Sequence, residues 1–271
     1  MTKSIDQKYG DLCNILKREG RIAVAFSAGV DSTLLLKAAV DALGSGKVLA
    51  VTALSHSFPE RENEEADQFC RDCGTERITV EVDQLSIPGF RENPADRCYI
   101  CKIVLFSKMI DAAKERGFDK LAEGSNPDDL SDYRPGLKAI AELGVLSPLR
   151  EAGLTKKEIR EISERLGLPT WNKPSFACLA TRFVYGETIS DEKLRRVELA
   201  ERLLQDLGLR QFRVRIHGEE GLLARIEVLP AEFEKIMDSR RQITEEFREY
   251  GFDYISLDLE GYRTGSMNEM L

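Results

Sequence analysis

Residues Phe26-Ser-Ala-Gly-Val-Asp-Ser-Thr33 stand between an apolar run at 21–26 and an amphipathic stretch at 31–43. A strand that turns through small residues into a helix presents unpaired backbone N–H groups to an anion. The candidate phosphate-binding residues are Ser27, Ala28, Gly29, Val30, Asp31, Ser32 and Thr33. Gly29 permits a tight turn and close approach of an anion. Ser27, Ser32 and Thr33 offer hydroxyl donors, and Asp31 can hold Mg²⁺ against the phosphate charge. No lysine follows the glycine, so this is not a Walker A loop. The alternative is a strand–turn–helix corner with an ordinary Ser or Asp cap.

Cysteine is the other chemically active residue type. Cys70-x-x-Cys73 and Cys98-x-x-Cys101 form two CxxC pairs, a spacing that leaves a tetrahedral zinc or iron–sulfur site open. The competing reading has Cys70 and Cys101 filling helix faces. Cys13 reads as a core residue of the first helix. Cys178 is either a small cysteine packed beside Phe176 and Leu179 or a nucleophile, and the residues alone leave both open. Arg213 and Arg215 alternate with Phe212, Val214 and Ile216, so both arginines leave one face of a strand. They form, with Arg263, either a solvated face or a phosphate-recognising set. His56 and His217, the only histidines, read as structural.

These residues need a scaffold, and the periodicity supplies one. Strands at 21–26, 48–54, 77–82, 120–123 and 144–147 alternate with helices at 31–43, 60–73, 98–116 and 137–143. That alternation predicts an α/β fold with a parallel doubly wound sheet covered on both faces. Thr155-Lys-Lys-Glu158 is a capping box opening one more helix. Residues 168–185 carry Pro169 and Pro174 and no clear period. Beyond them a helix (191–207), two strands (211–217, 222–228), a helix (240–250) and a strand (254–259) predict a smaller α+β domain with an antiparallel sheet. The expected division is a phosphate-binding domain at 1–170, a loop at 171–189 and a small domain at 190–271.

Length and composition agree. With 271 residues, 42% of them hydrophobic, the chain can bury two cores. Its net charge of −8, with no basic block, argues against a nucleic-acid partner. The first twelve residues contain no apolar core of a signal peptide, and the apolar runs are strand-length. A cytoplasmic protein with reduced thiols is expected, with no membrane contact.

The stretch SAGVDST after AVAF resembles the SGGxDS loop of the PP-loop ATP pyrophosphatases, with Ala28 in place of the usual glycine. Residues 123–136, EGSNPDDLSDYRPG, are a second match. That superfamily places its fourth strand beside the first, at the switch point where ligands bind. The resemblance therefore implies that Gly124 and Asp128 face the loop across an ATP crevice. The acidic trio Asp128, Asp129 and Asp132 also reads as a solvated helix start. Three further segments resemble the LarE family of sulfur insertases: Asn93-Pro94 with Arg97-Cys-Tyr-Ile-Cys-Lys102, Lys173-Pro-Ser-Phe-Ala-Cys178 through Arg182, and Leu259-Glu-Gly-Tyr-Arg263-Thr-Gly-Ser-Met267. The resemblance implies adenylation of a carboxylate on a pyridinium mononucleotide with ATP and Mg²⁺. It implies further that Cys178 supplies the sulfur that makes a thiocarboxylate. Arg182 would then stabilise the thiolate or the substrate's anionic groups, and Arg213, Arg215 and Arg263 would bind substrate. No cysteine follows Cys178, so a sacrificial cysteine is expected rather than an iron–sulfur cluster. Glu187 is a candidate base only by its nearness in the chain. A homo-oligomer is implied as well. A tRNA thiolase with the CxxC pairs as redox or cluster ligands, an amidating synthetase of the NAD or GMP type, and a nucleotide-sensing module are the competing functions.

Overall fold

The computed structural model describes residues 3–58, 60–131, 135–174, 178–263 and 265–267. The chain divides into two compact units, Met1–Val82 with Cys98–Ser175, and Asp83–Arg97 with Phe176–Leu271. The sequence reading placed residues 83–97 inside the ATP-binding domain. They belong instead to the second unit, where Asn93 Nδ2 donates to the Val184 carbonyl at 2.6 Å and Arg97 Nη1 to that of Ala180 at 2.9 Å.

In the first unit, helix α1 (Ile5–Glu19) opens on a capping box between Ser4 and Gln7. Strand β1 (Ile22–Ala25) leads through the small-residue loop into α2 (Val30–Leu43). Then follow β2 (Val48–Ser55), α3 (Glu60–Cys73), β3 (Glu76–Val82), α4 (Arg97–Glu115) and β4 (Leu121–Ala122). After them come α5 (Pro135–Glu142), α6 (Pro148–Glu151) and α7 (Lys156–Arg165), the last opening on the expected Thr155–Glu158 capping box. All strand pairs are parallel, in the order β3-β2-β1-β4. The expected fifth strand is reduced to a single bridge from Leu146 to Ala122, because Ser147 and Pro148 start α6 at once.

Alternate residues of the strands point to opposite faces. Ile22, Val24, Val48 and Ala50 pack with α1, α2, α3 and α7. Ala23, Leu49 and Val51 pack with Phe106, Met109 and Ala113 of α4. Both faces are therefore covered, as parallel sheets require.

In the second unit, α8 (Asp191–Asp206) is capped by the Ser190 hydroxyl. Then come β5 (Phe212–His217), β6 (Leu223–Val228), α9 (Phe233–Asp238), α10 (Arg240–Glu249) and β7 (Tyr254–Leu257). The sheet runs β5-β6-β7, with β5 antiparallel and β7 parallel to β6, so it is mixed rather than antiparallel. Among the described residues no helix is long and apolar enough to cross a membrane.

Candidate active site

The loop after β1 has the geometry of an anion site. Gly29 is the N-cap of α2 and makes no side-chain cap. The first amides of an uncapped helix point at whatever lies before it. Ser32 Oγ lies 3.2 Å from Ser27 Oγ, accepts from Ser27 N at 3.3 Å and donates to the Gly29 carbonyl at 3.2 Å. The left-handed residue of the turn is Ala28, at φ 52°, whereas Gly29 is extended. The substitution of alanine for glycine thus falls where a β-carbon is strained. Thr33 is fully buried and its Oγ1 has no hydrogen-bond partner among the described residues. That placement departs from the expectation of a phosphate-facing hydroxyl.

Strand β4 ends against this loop. A β-carbon on Gly124 would lie 3.1 Å from both Asp31 Cβ and Ser32 N, so a larger residue fits only if the loop gives way slightly. Asn126 Nδ2 donates to Asp31 Oδ1 at 3.4 Å, and Lys156 Nζ pairs with Asp31 Oδ2 at 2.5 Å. The candidate Mg²⁺ ligand is therefore already matched with an ammonium. One carboxylate beside a phosphate site suits Mg²⁺, which takes few protein ligands and completes its shell with phosphate and water. Asp128 accepts from Lys156 N at 2.7 Å and so caps α7, while Asp129 accepts from Asn126 N at 2.9 Å. Asp132 lies outside the described residues.

Two lysines of this site carry no expected role in the sequence reading. Lys156 is a cation in the first turn of a helix, the end whose dipole disfavours it, and that misplacement is a readable signal of a nearby anion. Lys173 donates to the Ala28 carbonyl at 3.1 Å and to Glu62 and Glu65 of α3 at 2.6 Å each.

The CxxC pairs do not assemble. Cys70 and Cys73 pack on the face of the sheet that α2 covers, while the body of α4, which carries Cys98 and Cys101, covers the other. Burial pushes the Cys70 thiol up to about 12 and raises that of Cys73, the reverse of what a thiolate ligand needs. Among the described residues no three His, Cys, Asp or Glu side chains are grouped to hold a metal. The zinc reading is corrected accordingly.

In the second unit Cys178 is exposed and precedes a 3₁₀ turn, Leu179–Arg182. Its carbonyl accepts from Thr181 N at 3.0 Å, Thr181 Oγ1 at 2.8 Å and Arg182 Nη1 at 3.2 Å. It is not the packed core cysteine of the alternative reading. Arg182 is fully buried and grips Glu201 with Nε and Nη2, both at 2.8 Å. It reaches Cys178 through the main chain, by the hydrogen bond from Nη1 to the Cys178 carbonyl. Burial alone would raise the Glu201 carboxyl, but Arg182, Arg213 and the Val214 amide hold it below the usual carboxylate range.

Arg213 and Arg215 are buried, not a solvated face. Arg215 is held by Glu227 through Nε at 3.0 Å and Nη2 at 2.9 Å, and donates to the Thr181 carbonyl and Ser266 Oγ. Arg213 lies over the Tyr262 ring, 5.2 Å from its centre. Burial and then the neighbouring Arg182 charge lower its pKa, while Glu201 and Tyr262 act to raise it. Arg263 pairs with Glu260 at 2.7 Å. His217 accepts from Arg225 Nε at 3.1 Å; burial and Arg225 lower its pKa. Glu187 accepts from Gly218 N at 3.0 Å, and its second oxygen is buried with no hydrogen bond among the described residues.

A parallel sheet with β4 beside β1 and an uncapped, hydroxyl-lined turn after β1 match the fold that the resemblance to the PP-loop ATP pyrophosphatases implies. An argininosuccinate synthase of Natronomonas pharaonis, 29% identical over 163 residues, covers 56% of this chain and 40% of its own. Two relatives match nearly end to end. An uncharacterized protein of Synechocystis is 41% identical over 269 residues, 98% of this chain and 99% of its own. The pyridinium-3,5-bisthiocarboxylic acid mononucleotide synthase of Lactiplantibacillus plantarum is 36% identical over 264 residues, 97% and 95% of the two chains. No family model matches the chain. The chain belongs to the LarE family, that of the pyridinium-3,5-bisthiocarboxylic acid mononucleotide synthase.

Proposed function

We propose that this protein is an ATP-dependent sulfurtransferase that converts a carboxylate of a pyridinium mononucleotide into a thiocarboxylate. The observation that carries the reading is the end-to-end likeness to the L. plantarum synthase. ATP binds with its phosphates at the N-terminus of α2, where Asp31 would hold Mg²⁺ and the ion would offset the phosphate charge. The substrate carboxylate attacks the α-phosphorus and expels pyrophosphate, leaving an acyl-adenylate. The Cys178 thiolate displaces AMP and forms a thioester. Loss of the Cys178 α-proton to a base, with cleavage of its Cβ–S bond, leaves sulfur on the substrate and dehydroalanine in the chain. Arg213, Arg215 and Arg263 recognise the substrate's phosphate and carboxylates, Arg215 from a position fixed by Glu227. A small-molecule nucleotide partner, a cytoplasmic location and a homo-oligomer belong to the same reading.

Intact-mass analysis tests it. The protein incubated with Mg²⁺, ATP and a pyridinium dicarboxylate mononucleotide should become lighter by one H₂S, mapped to position 178, with AMP, pyrophosphate and at most one sulfur transferred per chain. Repeated turnover with Cys178 intact and no added sulfide refutes the sacrificial route.

A further inference from the structure

We infer that Lys173 is a positioning residue of the ATP site, which fixes the left-handed turn at Ala28 and thereby aims the Gly29 amide. The inference rests on the reading that the 27–33 loop binds the ATP phosphates. An ammonium has three donors. Those of Lys173 go to the Ala28 carbonyl at 3.1 Å and to Glu62 and Glu65 at 2.6 Å each. The two glutamates lie on one face of α3, three residues apart, and Lys173 is largely buried between them and the loop. Its head group is held from one side by α3 and reaches the loop on the other.

The Ala28 carbonyl and the Gly29 N–H belong to one planar peptide unit and point in opposite directions. Fixing the oxygen therefore fixes the amide. Ala28 has a reason to leave its position: its φ of 52° brings the β-carbon against the backbone, which a glycine would escape. Leaving the left-handed region through a joint change of φ and ψ would turn the 28–29 peptide and withdraw the Gly29 N–H from the mouth of α2. Lys173 opposes that rotation. The loop is set for phosphate before nucleotide arrives, so binding spends nothing on ordering it.

Titration calorimetry with MgATP on the full chain tests this with Lys173→Met, Lys173→Arg, Ala28→Gly and the Ala28→Gly/Lys173→Met double variant. Lys173→Met should weaken ATP about tenfold, the worth of one charge-assisted hydrogen bond. It also exposes Glu62 and Glu65 to the phosphates, so the loss alone does not identify the cause. The double variant does: glycine takes the turn without strain, and the loss from Lys173→Met should shrink to about threefold or less in that background. Lys173→Arg, whose planar fork cannot meet three partners disposed around one nitrogen, should fold normally and bind ATP with intermediate strength. It carries the test should Lys173→Met not fold. Wild-type affinity in both Lys173 variants, or an equal loss with alanine and glycine at position 28, overturns the inference. Failure of the unaltered protein to bind ATP overturns the ATP reading itself.

Discussion

Replacing Arg182 by methionine removes one half of a fully buried ion pair and keeps most of its volume. Arg182 and Glu201 meet through two hydrogen bonds of 2.8 Å, with side chains 1% and 8% exposed. After the change Glu201 keeps the Val214 amide at 3.0 Å, and the neighbouring Arg213 offsets part of the remaining charge. Leaving a buried carboxylate without its ion-pair partner costs about 3–5 kcal/mol. At this chain length that lowers the melting temperature by about 10 °C or more. The pH dependence separates lost pairing from lost packing. In the unaltered protein Glu201 titrates below its unfolded value. The stability it contributes is present above the unfolded pKa and is lost as pH falls through the folded one. In Arg182→Met, burial weighs more heavily against the charged form and the folded pKa moves upward. The deficit should therefore narrow as pH drops from about 7 to about 4.5, across the carboxylate range. Scanning calorimetry at several pH values reads both effects. Adding Glu201→Met should recover most of the loss, since paired apolar replacements of buried ions are tolerated. A melting point within a degree or two of wild type, or a deficit that widens toward acid, refutes the reasoning.

Asp31→Ala should abolish Mg²⁺-dependent pyrophosphate release while leaving the circular dichroism spectrum unchanged. Release of ADP and phosphate by the unaltered protein would remove the pyrophosphatase chemistry altogether. Thiol labelling at neutral pH should modify exposed Cys178 first and leave Cys70 unreacted until denaturant is added, because burial pushes the Cys70 thiol up to about 12. Labelling of both at one rate would contradict that burial.

Much of the ATP site is written locally. A buried strand, small residues and a helix suffice to place the turn before Val30, and the capping box at Thr155 announces α7 to the residue. What escapes local reading is long-range. Lys156 meets Asp31 across 125 positions, and Lys173 meets Ala28 across 145. No periodicity links such pairs. Spacing also says which residues share a helix face but not which face of the sheet that helix covers, and so the CxxC pairs suggested a cluster that the fold keeps apart. Alternation in residues 254–257 marked a strand but not its direction, since a period of two reads the same both ways. The arginines of β5 lie on one side of the strand, as alternation requires. Their burial is not written in that alternation: it goes with charges elsewhere in the chain, Glu227 of β6 paired with Arg215 and Glu201 of α8 near Arg213.

The assignment of Asp83–Arg97 to the second unit has a consequence for how the protein is made. The polypeptide passes between the units three times, so neither corresponds to a continuous stretch of message. On the ribosome, a segment of the second unit emerges before α4 and β4 of the first, and must wait for the chain beyond residue 175 before Asn93 and Arg97 find Val184 and Ala180. A fragment cut at the linker would carry Cys178 and its arginines but lack those two anchors. Gene fusions or circular permutations that treat the C-terminal part as a self-contained module should yield protein in which the segment bearing Cys178 is untied.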